Sequence, residues 1–123
     1  MTIDHQKQGR TNRRNGNMAE AAVARYLRDN GYPMAISSRA AIGAGTRQES
    51  DVIGVPGMAI EVKSVRGLSI GAALIQAEQQ ATVGKVPIVI AKPIGVGYGN
   101  VANWFAIMWV ADAVGLWPEG GML

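Results

Sequence analysis

The sequence contains no cysteine and a single histidine, His5. Without cysteine there is no disulfide framework and no thiolate site, so a metal must be held by oxygen ligands or by His5. Carboxylate oxygens point to magnesium or manganese. Long apolar runs are also missing: no stretch approaches the roughly 18 consecutive residues of a membrane helix, because Gly, Pro or a charge interrupts each one. Near the amino terminus Asp4, His5, Lys7, Arg10, Arg13 and Arg14 crowd together with no apolar h-region. No secretory signal is read there, and the cytoplasm is the expected compartment. There is no internal repeat and no linker, and 123 residues with 48% hydrophobic content suit one compact core.

What is present is first of all an uneven charge. Five of the twelve Lys and Arg side chains fall within the first 25 residues, although the net charge is only +3. Residues 1 to about 16 read as a basic, flexible arm rich in Asn and Gln, with residues 17–123 forming the domain proper. Such an arm suits a phosphate backbone, where Arg10, Arg13 and Arg14 would neutralise charge and release counterions. A merely solubilising tail has the same composition.

Beyond the arm, Ala19, Ala22, Val23, Tyr26 and Leu27 share one helical face, with Asn17 as the expected N-cap and Asn30-Gly31 and Pro33 as the stop. Met34–Ser38 reads as a strand and Ala41–Ser50 as a polar loop or hairpin end. Asp51–Val55 and Met58–Lys63 are short strands around the Pro56-Gly57 turn. Ile70, Ala73, Leu74, Ala77 and Ala81 predict a helix over 70–83, with Gly84 after it. The run VPIVIA (86–91) reads as a strand buried on both faces, Pro87 favouring its first residues or an edge. Asn103–Val110 reads as a last strand and Ala111–Leu116 as a short helix. The glycines Gly95, Gly97 and Gly99 are not followed by a Lys-Ser/Thr pair, so they read as a hairpin turn and not as a phosphate loop. The expected class is α/β, a mixed sheet of about five strands flanked by helices in the order α-β-β-β-α-β-β.

Alternation along a strand puts Glu61 and Lys63 on the face shared with Ala59, while Met58, Ile60 and Val62 take the other. Two charges thus interrupt a core strand, and burying them without partners would be costly. Asp51 begins the preceding strand, within reach of Glu61, and two close carboxylates repel unless a proton or cation lies between them. The geometry depends on register. A two-residue Pro56-Gly57 turn would set Asp51 opposite Val62, on the wrong face, whereas the odd connection Val55-Pro56-Gly57, with Gly57 at positive φ, sets Asp51 opposite Glu61. A bulge or strand bend near Asp51 would serve equally well, and a register irregularity that turns both carboxylates onto one face is therefore expected.

Three further groups border this hairpin in the reading. Asn17-Met18-Ala19-Glu20 fits a capping box, yet Glu20 also lies beside Leu27 at the edge of the apolar face. Gln76 and Gln80 border the apolar side of the second helix, positions that serve edge packing as well as phosphate binding. Trp104, Trp109 and Trp117 fit core or dimer contacts, or stacking on a base.

The stretch ESDVIGVPGMAIEVKSV resembles the metal-binding core of PD-(D/E)XK nucleases, and the chain from about Asn15 to Pro93 is similar to archaeal-type Holliday-junction resolvases and their phage relatives. The positions that match are Glu20, Ser37 to Gly45, Asp51 and Glu61-Val62-Lys63, with Ser50 where the motif's name has Pro. The resemblance implies a restriction-endonuclease-like core with Asp51, Glu61 and the backbone carbonyl of Val62 as ligands of Mg2+ or Mn2+. It implies Lys63 as the catalytic lysine and catalytic roles for Glu20 and Gln76, with Ser38, Arg39, Arg47 and Gln80 joining the arm in binding DNA. The expected activity is structure-selective endonucleolytic hydrolysis of DNA, most specifically of four-way junctions, by a homodimer in which paired cuts use two active sites. A flap, fork or restriction-type nuclease uses the same core, and an inactive nucleic-acid-binding module would be expected to have lost a carboxylate or the lysine. A structural protein with a chance E-V-K hairpin would bind neither metal nor DNA.

Overall fold

The computed structural model describes residues 5–42 and 50–118, apart from the side chains of residues 5–8, 11 and 42. Its elements in chain order are α1 (His5–Asp29), β1 (Ile36–Ser37), α2 (Ser38–Ile42), β2 (Val52–Ile53), β3 (Met58–Ser64), α3 (Ile70–Gln80), β4 (Val86–Lys92), a 3-10 turn (Val101–Asn103), β5 (Phe105–Ile107) and α4 (Val110–Val114). They form an α/β fold around a mixed five-stranded sheet of order β1-β2-β3-β4-β5. Strands β3 and β4 are parallel and joined across α3, and the other neighbours are antiparallel. Among the described residues no helix is long and apolar enough to cross a membrane.

Alternation decides what each face of the sheet packs against. Ile60 and Val62 of β3 join Ala19, Val23 and Ala24 of α1, together with Ala35, Val52, Val55 and Trp104. On the other face Val89 of β4 meets Ala73, Leu74 and Ala77 of α3. Glu61 and Lys63, out of phase with Ile60 and Val62, belong to the α3 face. Pro87 lies near the start of β4, before the Val89–Ala91 stretch that β5 pairs, so its missing N–H interrupts no bond to β5.

The expected arm is where the fold departs most from the sequence reading. Helix α1 already runs from His5, so residues 5–16 are its first half and Asn17 lies inside the helix. Asn17 therefore caps nothing, and the capping-box role of Glu20 falls with it. The segment holds no proline, its Gln, Lys and Arg residues are good helix formers, and Gly9 and Gly16 each cost only about 1 kcal/mol relative to Ala. The far end of the helix follows expectation. Gly31 adopts φ +104°, the Tyr32 N–H donates to the Leu27 carbonyl at 3.0 Å in a Schellman-type closure, and Pro33 follows.

Smaller departures have local causes. Helix α2 falls where strand and loop were expected, and it is capped by Ser37, whose Oγ accepts the Ala40 N–H at 3.1 Å. Helix α3 stops at Gln80, with Ala81 already extended; the β-branched Thr82 and Val83 follow, and Gly84 (φ +87°) serves the turn into β4. Strand β5 keeps only Phe105–Ile107 of the expected Asn103–Val110, because the 3-10 turn takes Asn103 and α4 begins at Val110 with Trp109 as its N-cap.

Candidate active site

The hairpin from β2 to β3 pairs Val52 with Ile60. Counting outward, Asp51 lies opposite Glu61 and the connection is the odd one, with Gly57 at φ +77°. The ladder is also irregular where it matters: the Asp51 N–H donates to the Ile60 carbonyl at 2.9 Å, an off-register bond of the kind a bulge makes. Asp51 is then fixed from two more sides. Its carbonyl accepts the Ser38 N–H at 2.8 Å, and its Oδ2 accepts the Val62 N–H at 2.9 Å.

Asp51, Glu61, Val62 and Lys63 line one pocket of about 500 Å³, together with Asn12, Arg13, Gly16 and Glu20 of α1, Arg39 of α2, and Gln76 and Gln80 of α3. The carboxylates lie deep, Asp51 being 3% and Glu61 1% exposed, while Lys63 is half-buried. Glu20 is buried as well, and its Oε2 faces the Arg39 Nε at 3.7 Å. Gln76 and Gln80 are half-buried on the opposite wall. The Gln80 Oε1 is shielded from solvent with no hydrogen-bond partner among the described residues. A larger depression, about 630 Å³, lies on the outer side of α1 and holds none of these groups.

The donor set fits a hard divalent cation. A residue in an extended strand turns its N–H and C=O towards the same edge, so the Val62 carbonyl opens on the side where its N–H meets Asp51. Two buried carboxylates and a backbone carbonyl form an all-oxygen set, and magnesium commonly takes one or two carboxylates and completes its shell with water and substrate phosphate. Among the described residues no group of three or more His, Cys, Asp or Glu side chains is placed to hold an ion, so the set stops at two carboxylates.

Not every expected contact is brought here. Ser38 is fully buried, so its hydroxyl does not meet a phosphate; its contribution is the backbone bond to Asp51. Arg39 reaches the pocket but is engaged with Glu20. Arg10 and Arg14 are exposed on α1 outside the pocket lining, and Arg47 lies outside the described residues. Trp104 is a core residue, its Nε1 donating to the Gly97 carbonyl at 3.2 Å and its ring edge-on to Tyr98. Sequence reasoning missed Asn12 and Gly16. Stepping back from Glu20 by fours gives both, and that signal was available once the helix was extended. No protein family, curated protein or solved structure matches this chain.

Proposed function

We propose that this chain is a metal-dependent DNA endonuclease of the PD-(D/E)XK type, acting on branched DNA and most specifically on four-way junctions. The observation that carries the reading is the convergence of Asp51, Glu61 and Lys63 in one pocket, which a regular two-residue hairpin would have prevented. Asp51, Glu61 and the Val62 carbonyl would hold Mg2+ or Mn2+. When bound, the ion supplies a more acidic water and neutralises charge on the scissile phosphate.

The chain's own residues account for the rest. Lys63, on the same strand face as Glu61, orients the attacking water and offsets the negative charge that grows on the phosphoryl oxygens. Water adds to phosphorus, one P–O ester bond breaks, and the released alcohol takes a proton. Glu20 positions Arg39 at the rim, where the guanidinium meets a phosphate oxygen. Gln76 and Gln80 offer neutral donors from α3, and Arg13 and Asn12 close the pocket from α1. Paired cuts would come from two copies related by a twofold axis, each carrying one site.

The test is cleavage of labelled four-way junction, flap and linear duplex with Mg2+ by the wild type and by Asp51→Asn. The junction is expected to be cut most efficiently by the wild type, and the variant should lose at least ~10²-fold in rate. Equal cleavage by both proteins would refute the reading. Preference for the flap or the duplex would move the chain to another nuclease built on the same core.

A further inference from the structure

Helix α1 carries cations on two faces. On a wheel of about 100° per residue, Arg13 falls within about 20° of Glu20, on the side that meets the carboxylate pocket. Arg10, Arg14 and Arg25 fall within about 60° of one another on the solvent side and span roughly 22 Å of helix. All three are exposed, as is Arg13 at the mouth of the pocket, about 60° round the helix from Arg10. Arg28 shares that side, but its Nη1 donates to the Ala35 carbonyl at 2.8 Å.

This outer stripe works against the helix that bears it. Arg10 and Arg14 are a like-charged pair at i, i+4, a spacing that destabilises an isolated helix. The acids of α1 are Glu20, which faces the pocket, and Asp29 at the far end, which borders a groove with Arg25, Tyr26 and Tyr98. A polyanion on the outer face would relieve the repulsion. One duplex cannot straddle α1 by taking the helix into its major groove, because Ala19, Val23 and Ala24 bury the inner face of α1 against the sheet.

We infer that α1 lies between two phosphate chains: Arg13 and Asn12 hold the strand at the carboxylate pocket, while Arg10, Arg14 and Arg25 hold a second chain from another arm of a branched DNA. The inference rests on the nuclease reading for the role of Arg13 and gives the basis on which a branch is distinguished from a plain duplex.

The experiment measures dissociation constants of the full chain, without divalent metal, for a four-way junction and a linear duplex over a range of salt. The wild type is expected to prefer the junction. An Arg10→Gln/Arg14→Gln/Arg25→Gln variant should lose at least tenfold in junction affinity and about two to three units of salt slope. Its loss on linear duplex should stay below threefold. The corresponding triple Lys variant should restore the preference, which separates charge from folding, and Arg13→Gln should weaken both ligands alike. Equal losses on junction and duplex in the triple Gln variant, or no junction preference in the wild type, would overturn the inference. A wild type that prefers the junction but cuts no DNA with Mg2+ would sink the nuclease reading and leave the outer face as a branch-binding surface.

Discussion

Gly54 sits at φ +83°, and a Cβ built on it would collide with the backbone carbonyl of Met34. Two restrictions therefore meet at one residue: the left-handed backbone favours glycine, and the close approach of the segment before β1 leaves no room for a methyl group. Because Gly54 follows β2 directly, it also helps hold the register that sets Asp51 opposite Glu61. Gly54→Ala is expected to destabilise the fold by about 2 kcal/mol or more, measured as a lower urea midpoint at unchanged m-value. An unchanged midpoint would mean that the Met34 segment moves away freely. The nearby charged residues were legible in the sequence because alternation alone places Glu61 with Lys63. The Gly54 contact was not, since it depends on where β1 packs. The Ser37 cap of α2 was hidden for a related reason: a serine at a strand end and a serine capping a helix look alike until the chain direction is known.

Among the elements, β3, α3 and β4 could be read closely because alternation marks β3, a helical period marks α3 and a continuous apolar run marks β4, each beside a turn. Helix α1 was legible only in its second half, where Ala19, Val23 and Leu27 mark the inward face by their apolarity, although the buried Ala24 was not read onto that face and Tyr26, which was, is exposed. In the first half the same face carries Asn12, Arg13 and Gly16, and the polarity there reads as solvent exposure, which Asn12 and Arg13 do have, without showing that the segment also lines the pocket. The difference has a measurable consequence. Deleting residues 1–14 from a loose arm should weaken DNA affinity alone, whereas here it also removes Asn12 and Arg13 from the pocket wall. The truncated chain is expected to bind DNA with a shallower salt dependence and to cleave at least tenfold more slowly at saturating DNA. Full cleavage at saturation would assign the segment to binding only.

At the scale of the molecule, the site joins elements from four parts of the chain: α1 from Asn12 to Glu20, Arg39 of α2, the β2–β3 hairpin and the second half of α3. A cation bound by Asp51 and Glu61 would favour the folded state alone, by about 2.7 kcal/mol at a hundred times its dissociation constant. Raising Mg2+ or Mn2+ should therefore raise the Tm of the wild type by several degrees and leave an Asp51→Ala/Glu61→Ala variant unmoved. Equal shifts in both proteins would place the ion elsewhere. The parallel pairing of β3 with β4 adds a constraint on time. The hairpin carrying Asp51 and Glu61 is contiguous in sequence, but the strand that flanks Glu61 on its other side comes only after the whole of α3. During synthesis at roughly 5–20 residues per second, both carboxylates leave the ribosome seconds before the strand that completes their burial, so the nascent chain carries the acidic groups of its site before it has the walls to use them.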